Sequence, residues 1–333
     1  MDYPTSVVSM DTGVTSICAG DAHTCAVKGG AAYCWGSNQF GAVGNNQTVD
    51  SPVAAQVFGL SSGVVKVSCG IYHTCALLAT GTISCWGDNS YGQCGDGVAG
   101  TNVYRVPVPV VNITNGNVVD VLAGRSISCG VIDNGGQEFE TWCWGSNLYG
   151  QLGNGATALQ QRIPAKMNPG LAGPVRDLAS GVDFVCGIDG SGQTQCTGLN
   201  DIGQLADGTT TTTSTLVPVV GLSPGGSSKI ASSLSDKPRT CVVMESGALQ
   251  CWGDYTRCCL GNGTASITVM VPTLLPGPQN HKDVSLGSNH ACTIRGDNDE
   301  VWCWGVNGNR QLGVGSTEST VLEPMPVVFP NGN

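Results

Sequence analysis

Residues 75–97 read CALLATGTISCWGDNSYGQCGDG, and their pattern of Cys, turn, Cys-Trp-Gly and Gly-Gln-x-Gly returns five more times along the 333-residue chain. Cys75 to Leu78 and Thr82 to Trp86 are short apolar or β-branched runs around Ala79-Thr80-Gly81, and a three-residue loop with Gly third predicts a β-hairpin. With Leu78 facing Thr82 across that turn, the antiparallel register sets Cys75 opposite Cys85. Directly opposed Cα atoms lie roughly 4.5 to 5.5 Å apart, inside the window for a disulfide. A stapled hairpin is the expected unit.

The same register sets Cys25 opposite Cys34 when Lys28 faces Ala31 around Gly29-Gly30. Cys186 with Cys196 and Cys241 with Cys251 flank three-residue turns, while Cys129 with Cys143 and Cys292 with Cys303 enclose longer ones. These six pairs use twelve of the seventeen cysteines. Thiols in the cytosol are kept reduced, so cysteines in facing pairs point to an oxidising compartment and a secreted or cell-surface protein. Cys18, Cys69, Cys94, Cys258 and Cys259 lie outside the repeat. Cys94 takes the place of Leu152, Leu205, Leu260 and Leu312, and Cys69 that of Ala19 and Ala123, so a Cys69 to Cys94 bridge is expected. Cys258 and Cys259 bridge separately or to each other, and an odd count leaves at least one thiol free or intermolecular.

Taking the residue after the second hairpin Cys as marker gives Trp35, Trp86, Trp144, Thr197, Trp252 and Trp304, a spacing of about fifty residues. Short strands and Gly-rich turns at that period predict an all-β chain, residues 1–333 forming one β-propeller of six repeat units. Each unit is expected to open with a Pro-flanked run (Val106 to Val111, Ile163-Pro164, Leu216 to Val220, Val269 to Leu275), continue through a Val-rich run and end in the stapled hairpin. Tyr3 to Met10 and Leu322 to Phe329 both read as such an opening strand. Two candidates for one place predict either a clasp closing the ring or a spare strand that pairs with a neighbouring molecule. Glycines at fixed offsets read as turns or close backbone approach, and the tryptophans as a set packed between blades.

Lys plus Arg number 14 against 24 for Asp plus Glu, a net charge of −10. Such a surface repels phosphate backbones, which argues against nucleic acid as a partner. No run is long and apolar enough to insert directly into a membrane, and Met1 to Met10 shows no signal peptide.

Sites of chemistry are sparse, and no cofactor or metal is expected. His23, His73 and His290 recur two residues before the first hairpin Cys, where other units carry Ile127, Phe184 and Arg239, so a structural hydrogen-bonding role is expected; His281 stands alone. Gly221-Leu222-Ser223-Pro224-Gly225 matches the letters of a nucleophile elbow without the strand and helix that motif needs. Asp88, Asn89, Ser90 and Asp96, with the similar Asp254, lack the spacing of a calcium loop and read as turn residues. Asn46, Asn112 and Asn262 begin N-glycosylation sequons in predicted loops, and residues 208–216, GTTTTTSTL, read as an exposed loop leading into a strand.

The units CWGSNQFGAVGN, CWGDNSYGQCGDG, CWGSNLYGQLGNG, CTGLNDIGQLADG, CWGDYTRCCLGNG and CWGVNGNRQLGVG resemble the repeat of the regulator of chromosome condensation family over nearly the whole chain. The resemblance implies a propeller, usually of seven blades, so a seventh is possible beside the six counted. The hairpin cysteines are most similar to the secreted, cysteine-rich form of that repeat. The expected function is therefore an extracellular, non-catalytic binding or structural scaffold, possible as a subunit of a self-associating surface or filamentous assembly. The alternative is a lectin-like or enzyme-inhibiting propeller that meets a glycan or protein partner through its loop face, with Tyr91 and Tyr149 as contact residues.

Overall fold

The computed structural model describes residues 4, 6–100, 102–113, 117–256, 260–264, 268–277 and 279–329. Among these, every regular element is a strand. The first sheet holds β1 (Val14–Ala19), β2 (His23–Lys28), β3 (Ala31–Gly36) and β4 (Ser51–Gln56); the second β5 (Val64–Cys69), β6 (His73–Leu78), β7 (Ile83–Asp88) and β8 (Val103–Pro109). The third comprises β9 (Asn117–Ala123), β10 (Ile127–Asp133), β11 (Phe139–Asn147) and β12 (Ala158–Lys166); the fourth β13 (Asp177–Ser180), β14 (Phe184–Ile188), β15 (Thr194–Gly198) and β16 (Thr213–Pro218). The fifth contains β17 (Ser227–Ser232), β18 (Arg239–Met244), β19 (Leu249–Asp254) and β20 (Thr268–Leu274); the sixth β21 (His281–Leu286), β22 (His290–Arg295), β23 (Val301–Val306) and β24 (Thr320–Pro326). In every sheet the strands lie in chain order. These are six blades of an all-β propeller.

The central hairpin of each blade sits in the register its cysteines require. Cys75 pairs with Cys85 across β6 and β7, and Gly81 closes the turn at φ 74°. Disulfides join Cys25 to Cys34, Cys75 to Cys85, Cys129 to Cys143, Cys186 to Cys196, Cys241 to Cys251 and Cys292 to Cys303.

Three readings of the sequence are corrected. The Pro-flanked run closes a blade instead of opening one: in β8, Val108 pairs with Cys85 of the preceding hairpin, and in β20, Thr273 pairs with Cys251. The Val-rich run is the first strand. The two terminal segments therefore do not compete for one place. Residues 320–326 are the fourth strand of the sixth blade, where Met325 pairs with Cys303. At the other terminus Tyr3 and Thr5 lie outside the described residues, and no strand forms in Pro4 or residues 6–10. There the chain turns, with Ser9 at φ 66° and Met10 N donating to Val7 O at 2.9 Å.

The third correction concerns the extra cysteines. Cys69 bonds to Cys18, and Cys94 is free and buried. Cys18 pairs with Cys25 and so points toward the next blade, while Cys69 pairs with Thr74 and points back, which brings their Cα atoms to 5.4 Å. Cys94 instead fills the apolar position of its loop, its thiol against Asp88 O at 3.7 Å. Burial, with Asp96 and Asp88 nearby, raises its pKa well above the ordinary thiol value. Cys258 and Cys259 lie outside the described residues.

The chain divides into two compact units, one of Ser6–Pro174 with Thr213–Leu216, the other of Met1–Thr5, Val175–Thr212 and Val217–Asn333. Within the first, neighbouring blades are joined by a repeated set of bonds. Ala42 O of the first blade accepts from Trp86 Nε1 at 2.8 Å and from Thr74 Oγ1 at 3.1 Å. Gln93 O of the second accepts from Trp144 Nε1 at 2.8 Å and Ser128 Oγ at 2.9 Å. Within the other unit, Trp252 Nε1 donates to Gln204 O at 2.9 Å. We call the disulfide face of a blade trailing and the tryptophan face leading. Close approach explains the glycines: a Cβ on Gly95 would stand 2.7 Å from Trp144 Nε1, and one on Gly87, at φ 101°, would stand 2.5 Å from Tyr72 O.

The bridge between blades and the bridge within a hairpin close chain segments of different length, 51 against 10 residues. The chain-entropy model assigns them about 4 and about 2.7 kcal/mol. Replacing Cys18 and Cys69 together by Ala is expected to cost more stability than replacing Cys75 and Cys85, as read by urea unfolding of the two double variants.

Candidate partner-binding face

The β3 to β4 loop of the first blade is built on one asparagine. Asn38 Oδ1 accepts from Val43 N at 3.0 Å, and Asn38 Nδ2 donates to Gln47 O at 3.0 Å and Val49 O at 3.2 Å. Asn89, Asn147, Asn200 and Asn307 repeat the acceptor bond to the fifth residue on, at 2.9 to 3.3 Å. All five are buried. A buried polar side chain is tolerable when its donors and acceptor are all used, and here they replace the ladder that the loop lacks. A second clamp follows four residues later: Gln93 Oε1 accepts from Tyr91 N at 2.9 Å, and Gln151 Oε1 from Tyr149 N at 3.0 Å. The signal for these residues is Asn three positions after Trp in four units and after Thr197 in a fifth, with Tyr255 in the sixth.

With the loop held at both ends, the residues between the clamps are thrust outward. Phe40 and Tyr91 stand exposed there, Leu148 beside them in the third blade is exposed too, and Tyr149 is half-buried. The β5 to β6 turn lies at the same end of its sheet and adds exposed Tyr72, whose ring meets Phe40 at 4.6 Å between centroids. Phe40, Tyr72, Tyr91 and Leu148 thus occupy one end of the blades of the first unit. Large aromatics with one polar tip are enriched at protein interfaces, where they bury much area at low entropic cost. Of the two tyrosines expected as exposed contact residues, Tyr91 is exposed here and Tyr149 is half-buried; Phe40 and Tyr72 were missed because they approach only when adjacent blades pack.

Of the three histidines expected as structural hydrogen-bonding residues, His23 and His73 serve the joints, whereas the His290 ring has no hydrogen-bond partner among the described residues. His23 Nε2 lies 2.9 Å from Thr74 Oγ1, and His73 Nε2 lies 2.9 Å from Ser128 Oγ. Each hydroxyl gives its single proton to a carbonyl, so the network assigns Nε2–H as the donor to the hydroxyl oxygen. Burial lowers the pKa of His23 to about 4 and that of His73 to about 3, the latter helped by His23. These rings are neutral struts whose hydroxyl partners are already committed. Arg239 takes the same place in the fifth blade and donates from Nη2 to Ser288 O.

A cavity of about 230 Å³ opens within the second unit, lined by Leu275, His281, Arg295, Trp302 and Glu323 among others. At the positions of His281 and Arg295 the second blade carries Val64 and Leu78, which fill the corner. The Arg295 guanidinium lies 5.4 Å from the Trp302 ring centroid and donates to Asp297 Oδ2 at 2.8 Å. Burial, then Arg295, lowers the His281 pKa.

Other candidates are not assembled into sites. Ser223 N donates to Gln250 Oε1 at 2.8 Å, and its loop leads into β17, a strand. Asp88 is occupied by Ser90 and Gln93, Asp96 by Tyr104, and Asp254 by Lys237. Asn46 and Asn112 are exposed in left-handed conformation at φ 65° and 61°, and Asn262 is half-buried; Thr114 of the second sequon lies outside the described residues.

Blades joined through tryptophan and stapled by cysteine, with asparagine-clamped loops between their outer strands, define a repeat β-propeller. The chain belongs to the RCC1-like domain family, whose profile matches residues 2–332. It is 28% identical over 323 residues to the ultraviolet-B receptor UVR8 of Arabidopsis thaliana, covering 96% of this chain and 70% of that protein. Among solved structures it is similar to human WBSCR16, with TM-score 0.82 and 23% identity over 99% of this chain and 85% of that one. It is also similar to Prp20p from Saccharomyces cerevisiae, with TM-score 0.77 and 19% identity over 96% and 78%.

The buried histidines set a pH dependence. Unfolded, both rings take up protons near the ordinary value of 6.5, while folded they resist until about 4 and about 3, so acid favours the unfolded chain. Unfolding free energy is expected to fall as pH drops from about 6.5 toward 4, by up to roughly 1.4 kcal/mol per pH unit for each ring. Urea unfolding across that range should give a flatter slope for His73→Asn than for the unsubstituted chain.

Proposed function

We propose that this chain is an extracytoplasmic, non-catalytic scaffold that binds a protein partner through the aromatic loop face of its first three blades. The observation that carries the reading is the exposed group of Phe40, Tyr91 and Leu148 on asparagine-clamped loops with Tyr72 on the adjoining β5 to β6 turn. Rigid loops lose little freedom on binding, so contact area converts efficiently into affinity. A disulfide in every blade fits an extracellular environment. Prp20p, described for its binding to Gsp1p and histones, lends support to a binding role on this fold. For this chain the net charge of −10 argues against a nucleic-acid partner. Exposed Asn46 and Asn112 support N-glycosylation, for which a mass decrease on enzymatic removal of N-glycans from protein secreted by eukaryotic cells is the check.

A second reading, recognition of a glycan, is favoured by the cavity, which offers Trp302 as an aromatic wall and His281, Arg295 and Glu323 as polar groups. Binding on a glycan array that is lost in Trp302→Ala supports it, and no bound glycan ends it.

The aromatic face is tested by the triple variant Phe40→Ala, Tyr72→Ala, Tyr91→Ala. These side chains are exposed, so the melting temperature should change little. Retention of a partner retrieved from extracellular fluid and identified by mass spectrometry is expected to fall at least about tenfold, the scale of an interface hot spot. Equal retention by the variant would overturn the assignment.

A further inference from the structure

The corner between the end of one blade's last strand and the start of the next blade is apolar at two successive joints of the first unit. Val64 and Leu78 of the second blade pack with Val57 and Leu60 of the first, and Val118 and Ile132 of the third pack with Val110 and Ile113 of the second. At the joint of the fifth and sixth blades, inside the other unit, the same paired positions hold His281 and Arg295. Two ionisable side chains thus replace two aliphatic ones, and a cavity of about 230 Å³ opens at the corner. It is smaller than the roughly 300 to 1,000 Å³ of sites for drug-sized ligands, so it suits one small ring and not an extended chain.

Each polar group of this cavity is held in place and left with unused capacity. The Arg295 guanidinium lies on the Trp302 ring and gives Nε and Nη2 to Asp297 at 3.3 and 2.8 Å, which leaves Nη1 without a partner among the described residues. The indole is itself anchored, Trp302 Nε1 donating to Glu300 Oε2 at 3.0 Å. Thr293 Oγ1 gives its proton to Asp283 O at 2.7 Å, so it accepts from His281 Nδ1–H at 3.0 Å, and His281 Nε2 keeps a free lone pair. Glu323, from β24, makes no hydrogen bond or ion pair among the described residues. Arg295 and Glu323 therefore line one small cavity without neutralising each other, and Leu275 and Pro324 add apolar wall.

We propose that this cavity takes the terminal ring of a glycan that ends in a neutral sugar with vicinal hydroxyls, and rejects a glycan that ends in an acidic sugar. The proposal rests on glycan recognition by this cavity and adds the class of sugar. A hydroxyl both donates and accepts. One sugar hydroxyl accepts from Arg295 Nη1 while its neighbours donate to the Glu323 carboxylate and to His281 Nε2, and the C–H face of the ring packs on Trp302, Leu275 and Pro324. With Asp297 already on Arg295, Glu323 leaves the lining with an excess negative charge that opposes a carboxylate on the ligand. An ammonium on the ligand would share the same 230 Å³ with the guanidinium. A neutral polyol meets neither penalty.

The test applies the full chain, Trp302→Ala and Glu323→Gln to an array of glycans ending in neutral or acidic sugars. Glu323 is exposed, so the melting temperature of its variant should match the parent. The parent is expected to bind neutral termini and to lose them in Trp302→Ala. The methyl glycoside of the preferred sugar should displace it, and the corresponding uronic acid should not. A glutamine amide keeps an acceptor oxygen and drops the charge, so Glu323→Gln should raise the ratio of acidic to neutral binding about tenfold, the scale of one like-charge contact under partial screening. A parent that binds acidic termini through Trp302, a methyl glycoside that does not compete, or an unchanged ratio in Glu323→Gln overturns the assignment and leaves glycan recognition standing. An array without any bound glycan removes both.

Discussion

One carbonyl oxygen accepting two donors from the next blade is the constraint on which the rest of the first unit depends. Ala42 O and Gln93 O each take an indole N–H and a hydroxyl at 2.8 to 3.1 Å. Both lone pairs are thereby used, and the tryptophan is fixed in position and orientation. The glycine two residues later then has no room for a side chain, since the same indole lies where the Cβ would be. The hydroxyl, having given its proton away, can only accept from the histidine of the blade before. Burial in this network keeps the ring neutral.

The disulfides act on a different scale. Each hairpin staple restrains two strands that are already paired, so it narrows the unfolded ensemble more than it shapes the folded one. The Cys18–Cys69 bridge instead spans two sheets. It lies beside the Cys25–Cys34 staple, with the sulfurs of Cys18, Cys25 and Cys69 within 4.8 Å of one another. The first joint thus carries two disulfides side by side, while the apolar cluster of the sixth blade is small, built on Cys303, Leu312, Val314 and Val321.

Much of this was legible in the sequence because period-two geometry makes register a matter of counting: Cys75 against Cys85 follows from the turn alone. What counting could not give was which strand begins a blade. A Pro-flanked run fits the edge of a sheet whether it comes first or last, and only the pairing of Val108 with Cys85 decides it. The Cys69 partner was misread for a related reason. A bridge between blades depends on which faces meet, and that is written in tertiary packing instead of local spacing. The aromatic face was partly legible: Tyr91 and Tyr149 stood out beside asparagines in predicted turns, and of the two only Tyr91 is exposed, whereas Phe40 and Tyr72 come from different blades and meet only on assembly.

The asparagine clamp has a consequence for how such a chain changes over time. Asn38 and its counterparts satisfy the loop from within, so the tip residues contribute almost nothing to holding the loop in place. A tip such as Tyr91 can be exchanged for another side chain with little penalty in folding, while loss of Asn89 would release the whole loop. Folding and the chemistry of the exposed loop tips are thereby placed under separate sets of codons, and the tips can be exchanged one at a time on an unchanged frame.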